Sequence, residues 1–279
     1  MRLGSHLSNA ARADEKTAKG KLMRNSDTSS LIAAIDVPAA LGLLTRLPVR
    51  VDFDAAKTRG ASGAWAYPVV GAVVGLIAAT LGWMALSLGL SAPIAAVFVV
   101  ATQTIITGAM HEDGLADCAD GFWGGWDPAH RLEIMRDSHV GAYGVVALVL
   151  GILLRWLAVS AVLTLDNYGP ILIVAAMASR ATMVGVMTVM KNARDNGLSQ
   201  SVGRPNRNTA LVAVGLTGIA CLGLVGLLTV AVLGVAAIAA TACGALAWSK
   251  VRGQTGDVLG GTQQVTEVAV LLCVISLAG

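Results

Sequence analysis

Charge is what this sequence has least of. Only 13% of its 279 residues are Asp, Glu, Lys or Arg, about half the share of an average soluble domain. Aromatics are also scarce, at 4%, so the 55% hydrophobic content is mostly Ala, Val, Leu and Ile. Small aliphatic residues, with glycine among them, suit membrane helices whose backbones approach closely. The four cysteines (Cys118, Cys221, Cys243 and Cys273) lack CxxC spacing, which argues against a disulfide framework or a structural zinc site. A net charge of +3 with no basic block interleaved with aromatics argues against nucleic acid as a partner. Residues 1–28 are polar, of mixed charge and without an apolar core. They read as a disordered extension rather than a signal peptide, ahead of a single helical domain over 29–279.

What the chain does have is length without charge. Residues 61–110 contain no Asp, Glu, Lys or Arg over 50 positions, and residues 209–248 contain none over 40. One crossing takes about 20 apolar residues, so each run fits two helices and a tight turn. Residues 140–190 form a third such run, interrupted by Arg155, Asp166 and Arg180. Three hairpins return the chain to one side, where the polar segments 46–60, 111–139, 191–208 and 249–261 gather. Those segments hold twelve Lys and Arg, and the three opposite turns hold none. The positive-inside rule therefore places them in the cytoplasm. Residues 31–48, with Asp36 and two prolines, read as an interfacial or partly inserted helix. The apolar tail from 264 is short for a crossing. The expectation is an all-α polytopic membrane protein of about seven transmembrane helices, arranged largely as hairpins in the lipid bilayer. Homo-oligomers are plausible for such Gly- and Ala-rich helices, with no number implied.

Against this background the stretch HEDGLADCADGFWGGWD, from His111 to Asp127, stands out for its five carboxylates. On a helix, Asp113, Asp117 and Asp120 at i, i+4 and i+7 lie within about 60° of one another. Three carboxylates so close repel unless a cation sits among them, and hard oxygen ligands suit Mg²⁺ or Mn²⁺ with substrate phosphates completing the shell. The bland alternative is a solvated acidic loop; the helical phase, clustered glycines and membrane-edge position weigh against it. The glycines are expected where a helix ends near Asp120 and its backbone meets a ligand. Asp127 followed by Pro128 reads as the cap of a second helix. There Arg131 and Arg136 are shaped for phosphate, although ordinary ion pairing within the helix explains them as well. His111 and His139 flank the stretch as candidate proton carriers, although a lone histidine is more often structural. In the loop after residue 190, Lys191, Arg194, Arg204 and Arg207 are suited to a polyanion, or merely to topology. In GQTGDVLGGTQQVTE, Asp257 sits in a glycine-rich turn and Glu267 at a membrane entrance. Arg46 lies at the cytoplasmic edge, where it also reads as a simple anchor. Arg155 and Arg180 fall inside apolar runs, where charge faces a cavity, a partner or a substrate path; Arg180 is the stronger candidate of the two.

HEDGLADCADGFWGG followed by RLEIMRDSHVGAYG resembles the signature of the cobalamin synthase family, the adenosylcobinamide-GDP ribazoletransferases. LTRLPV, YPVVGAVVG, ARDNGLS and TGDVLGGTQQVTE match its further blocks in order, so the resemblance runs from Leu41 to Glu267. Ser199 and Gly261 stand where the family pattern has Gly and Ala. The resemblance implies a Mg²⁺-dependent enzyme of the bacterial cytoplasmic (inner) membrane. Such an enzyme joins adenosylcobinamide-GDP to α-ribazole, or its 5′-phosphate, and releases GMP. Carried onto this chain, it makes Asp113, Asp117 and Asp120 the metal ligands, with Asp257 and Glu267 as further ligands or orienters. Arg131, Arg136, Arg180 and Arg194 become candidate phosphate contacts, and His111 a candidate acceptor of the attacking hydroxyl's proton. Glu112 is left as a bystander and Asp127 as a cap. Two other readings differ in class. A CDP-alcohol-type phosphotransferase would carry an Arg in place of Asp117 and a later GxxxDxxxD. A cation transporter would set its carboxylates near the bilayer midplane.

Overall fold

The computed structural model describes residues 30–278, so the polar extension expected over 1–28 lies outside the described residues. Every regular element within them is helical, and the only strand-like feature is an isolated bridge between Asn192 and Gln254. The long helices are α3 (Tyr67–Ser87), α4 (Ala92–Thr107), α5 (Met110–Gly124), α7 (Ala142–Val162), α8 (Tyr168–Val189), α10 (Arg207–Val225), α11 (Leu228–Val251) and α12 (Gly256–Ala278). Shorter ones are α1 (Asp36–Leu44), α2 (Phe53–Arg59) with a 3-10 turn at Gly60–Ala66, α6 (Pro128–Ile134) and α9 (Leu198–Val202). Six stretches are long and apolar enough to cross a membrane, or seven if α4 and α5 count as one broken span. This agrees with the expected number. The tail belongs to a full 23-residue helix, because α12 begins at Gly256 and takes in the residues read as a glycine-rich turn. At nine residues, α1 is too short to cross.

Burial separates the helices into layers. The apolar windows of α8 and α12 are 83% and 72% buried, against 22% to 28% for α7, α10 and α11. Thus α8 and α12 form the centre, while the outer helices turn Leu150, Leu157, Ile219, Val230 and Ile238 outward to lipid. Composition explains the centre's tightness. A Cβ placed on Gly71 or Gly75 of α3 would stand within 2.8 Å of the α8 backbone at Met177 or Ile173, closer than real side chains come. Glycine there lets two apolar helices touch along their backbones, the contact that holds helices together in lipid.

The short N-terminal elements close one end of the bundle. Asp36 accepts hydrogen bonds from Arg59 Nε and Nη2 and from Trp65 Nε1, all at 2.7 Å, and from the Ala33 amide at 2.8 Å. Burial by itself would raise the Asp36 carboxyl, but these donors outweigh it and hold the group below its ordinary range. The polar segments meet at this same end. The Arg46 amide donates to Ile106 O, Arg136 to Asn196, and the Ala193 amide to Gln254 O. All four charged segments therefore share one face of the molecule, as the hairpin reading requires.

Candidate active site

The acidic motif is a helix throughout, and a sharp break precedes it. Gly108 (φ 65°) and Ala109 (φ 58°) are consecutive left-handed residues, and across them α5 turns 86° away from α4. Glycine takes this conformation freely, whereas alanine carries a cost of about 1 kcal/mol. The turn sends α5 along α12 and α7 rather than out into solvent. Gly114 makes the first contact intimate: a Cβ there would lie 2.7 Å from the Asp257 carbonyl oxygen and 3.0 Å from its Cα. The motif's glycine thus faces a neighbouring helix, where the sequence suggested approach to a ligand, and α5 runs on past Asp120 to Gly124.

Beneath the motif lies a network of buried charge. Arg155 of α7 pairs with Glu112 at 2.8 Å and with Glu267 at 3.4 Å, and Arg180 of α8 lies 3.6 Å from Glu267. Gln103 and Gln264 bridge these groups, Gln103 bonding both Glu267 and Arg155, and Thr104 donates to Glu112 at 3.0 Å. Two arginines and two glutamates balance in charge, which is how ionised side chains persist inside apolar helices. Glu112 is therefore no bystander, and the arginines' partners are Glu112 and Glu267. His111 is buried beside them, and its Nε2 has no partner among the described residues.

Above this network the carboxylates separate by role. Asp113 is exposed and Asp117 half-buried. Asp117 lies within electrostatic reach of Asp113, Asp120, Asp257 and Arg194. Asp257, in the first turn of α12, pairs with Arg194 Nη2 at 2.9 Å and accepts from Thr255 Oγ1 at 3.1 Å. The other terminal nitrogen of Arg194, Nη1, is buried and has no partner among the described residues. Asp120 is committed elsewhere: its two oxygens accept the Gly141 and Gly144 amides at 2.7 and 2.9 Å, closing the N-terminus of α7. Gly141 and Gly144 fit because Asp120 occupies the space a Cβ would take.

Comparison with known proteins places this arrangement. A family model described as Cobalamin-5-phosphate synthase matches residues 36–275. The chain belongs to the cobalamin-5-phosphate synthase family. Among curated relatives, the adenosylcobinamide-GDP ribazoletransferases of Mesorhizobium japonicum and Bradyrhizobium diazoefficiens are each 41% identical over 238 residues. These alignments cover 85% of this chain and 91% and 92% of the relatives. The protein of the same name from Rhizobium meliloti is 40% identical over 247 residues, covering 85% and 94%. No solved structure is matched.

Within this family member the arginines expected at phosphate sort clearly. Arg194 joins the carboxylates. Arg131 spends Nε on Gly125 O at 3.0 Å and Nη1 on Lys250 O at 3.1 Å, tying the α5–α6 turn to the end of α11. Arg136 is exposed and bonds Asn196 at 2.7 Å. Arg180 lies in the buried network with Glu267, and exposed Arg46 lies against Gly108 at the α4–α5 break. The cap at Asp127 forms as expected, accepting the Ala129 and His130 amides. Among the described residues no three carboxylate, imidazole or thiol groups converge on a point that would hold a metal ion. Mg²⁺ is usually held by one or two carboxylates, with phosphate oxygens and water filling the rest of its shell, and Asp113 and Asp117 are carboxylates of that kind. Of the three aspartates on α5, Asp120 has both oxygens engaged by backbone amides, which leaves Asp113 and Asp117 with oxygens free to meet a metal shared with substrate.

Proposed function

We propose that this membrane protein joins adenosylcobinamide-GDP to α-ribazole, or to its 5′-phosphate, yielding adenosylcobalamin or its phosphate and releasing GMP. The observation that carries the reading is the Arg194–Asp257 pair within electrostatic reach of Asp117, with Arg194 Nη1 buried and without a partner among the described residues. A guanidinium with a donor to spare beside metal-suited carboxylates is built for a phosphate oxygen. A ribazole hydroxyl attacks the phosphorus that bears cobinamide, and the bond from that phosphorus to the GMP oxygen breaks. Such transfer depends on positioning and charge stabilisation more than on covalent help from the protein. Arg194 binds the diphosphate, and Asp257 fixes its guanidinium. Asp117, with its half-buried carboxylate, would hold Mg²⁺ together with Asp113 or take the hydroxyl's proton. When bound, Mg²⁺ supplies charge neutralisation at the diphosphate. His111, enclosed beside Arg155 and Arg180, is poorly placed to meet that hydroxyl, so we assign the proton to a carboxylate. With twelve Lys and Arg on the polar segments and none on the opposite turns, the site faces the cytoplasm of a bacterial inner membrane.

The test is incubation of purified protein with adenosylcobinamide-GDP and α-ribazole, with and without Mg²⁺, scored by GMP release. Metal-dependent GMP together with adenosylcobalamin is expected. No product under either condition would overturn the assignment, and equal rates in chelator would remove the metal.

A further inference from the structure

A cleft separate from the carboxylates opens between α1, α2 and α9, with a volume of about 510 Å³. Its walls are aliphatic, including Ala39, Leu43, Val49 and Val51, and aromatic rings enter from Tyr67 and Phe53. Phe53, at the mouth, is 83% exposed. The buried charge at the cleft is already matched, since Arg59 is bound to Asp36 at 2.7 Å. The cleft is therefore lined for a neutral ligand that is largely apolar and aromatic, and its volume falls in the range of a drug-sized molecule. It leads inward. Leu43, Tyr67, Leu198 and Val202 also line a chamber of about 40 Å³ bordered by His111. Leu198, Ser199 and Gly256 pass from that chamber to a third space, of about 10 Å³, bordered by Arg194. The dividing element is the five-residue helix α9, held between Gly197 (φ 98°) and Gly203 (φ 90°).

We infer that this cleft binds the aromatic base of the acceptor nucleoside, and that the line of chambers under α9 leads its ribose toward Arg194 and the carboxylates. The inference rests on the proposed transfer, whose two substrates differ in the chemistry they need. The guanosine diphosphate of the donor carries several negative charges, whereas the cleft offers only Arg59, already bound to Asp36, and the single exposed Lys57. A corrinoid far exceeds the drug-sized ligand this volume admits. A benzimidazole is flat, neutral and apolar, and it stacks on an aromatic ring such as Phe53 at the mouth. The inner chambers are narrow, so movement of α9 on its two glycines opens the way for the sugar.

The experiment uses full-length protein in nanodiscs and compares Ala56→Trp, which fills the cleft from α2, with Thr58→Trp on the same helix outside it. Ala56→Trp is expected to raise KM for α-ribazole at least tenfold. KM for adenosylcobinamide-GDP should stay within twofold, and Thr58→Trp should change neither constant. Free 5,6-dimethylbenzimidazole should inhibit wild-type enzyme competitively against α-ribazole, and this inhibition should weaken in Ala56→Trp. An unchanged KM for α-ribazole would overturn the inference. So would a rise confined to the donor's KM, which would hand the cleft to that substrate, or a changed dependence on added phospholipid alone, which would make it an acyl-chain site. If Ala56→Trp fails to fold, Ala39→Met makes a smaller intrusion from α1, with the same outcomes read. Wild-type turnover in the same preparation establishes the transfer, so a flat response of the variants then counts against the cleft alone. Wild-type protein that neither turns over nor binds α-ribazole removes both.

Discussion

At the scale of single residues, the three aspartates on one face of α5 have different work, and substitution separates them. Asp120 accepts two backbone amides at the start of α7, a capping contact worth about 0.5 to 2 kcal/mol. Asp120→Ala is therefore expected to lower the melting temperature in detergent even in chelator, where no metal contributes. Asp117 makes no side-chain hydrogen bond among the described residues that would be lost. Asp117→Asn should keep the wild-type melting temperature while activity falls by about two orders of magnitude. Equal thermal losses in the two variants would show that the division is wrong. The helical spacing that puts the three on one face was legible in the sequence. The commitment of Asp120 was not, because its partners are amides more than twenty positions away. Glu112 was hidden for a similar reason. It stands beside Asp113 in an acidic stretch, so only the three-dimensional placement of Arg155 distinguishes it. Removing one member of a buried pair strands the other charge, at a cost of about 3 to 5 kcal/mol. Glu112→Gln should therefore destabilise the protein strongly. Glu112→Gln with Arg155→Met, which leaves Arg180 and Glu267 to balance each other, should recover much of the loss in a thermal or denaturant titration.

At the scale of elements, the break between α4 and α5 decides where the motif goes. A charge-free run of 50 residues announced a hairpin, and α3 and α4 form one. The chain then bends at Gly108–Ala109 and lays α5 back against α12 and α7 instead of leaving a free loop. No residue pattern signals this plainly: Gly108 is an ordinary helix stop, and Ala109 is a poor choice for a left-handed position. The same blindness affected α12. Its glycines looked like a turn, yet Gly260 and Gly261 sit inside a helix because α5 passes over them at His111 and Leu115. If Ala109 is held left-handed by the contacts around it, Ala109→Gly should be neutral or stabilise by up to about 1 kcal/mol. Ala109→Val, β-branched at positive φ, should destabilise. Thermal melts of the two variants in one detergent give the comparison. A melting temperature for Ala109→Val at or above wild type would mean that the turn adopts another conformation in the membrane.

At the scale of the whole molecule, the fold solves one conflict: a reaction between charged and bulky groups must be held by a bundle made almost entirely of small apolar residues. The side chains proposed to bind phosphate are confined to one end, where α5, α12 and the loop carrying Arg194 meet. The charges that penetrate deeper are neutralised among themselves by Arg155, Arg180, Glu112 and Glu267. The hairpins bring four separated polar segments to that end, and the positive-inside rule applied to their basic residues is what the proposed cytoplasmic side rests on. This arrangement predicts an accessibility pattern. In a background with Cys118, Cys221, Cys243 and Cys273 replaced, single cysteines at Asp195 and Arg252 should resist an impermeant maleimide in intact cells and react in inverted vesicles. Single cysteines at Ser91 and Asn167, in the turns after α3 and before α8, should do the opposite. Labelling of Asp195 and Ser91 from the same side would break the hairpin topology. Labelling of the whole set with reversed sidedness would keep the fold but move the site to the outer face. There neither a nucleotide-activated donor nor cellular Mg²⁺ would reach it, so the proposed transfer would fall with the orientation.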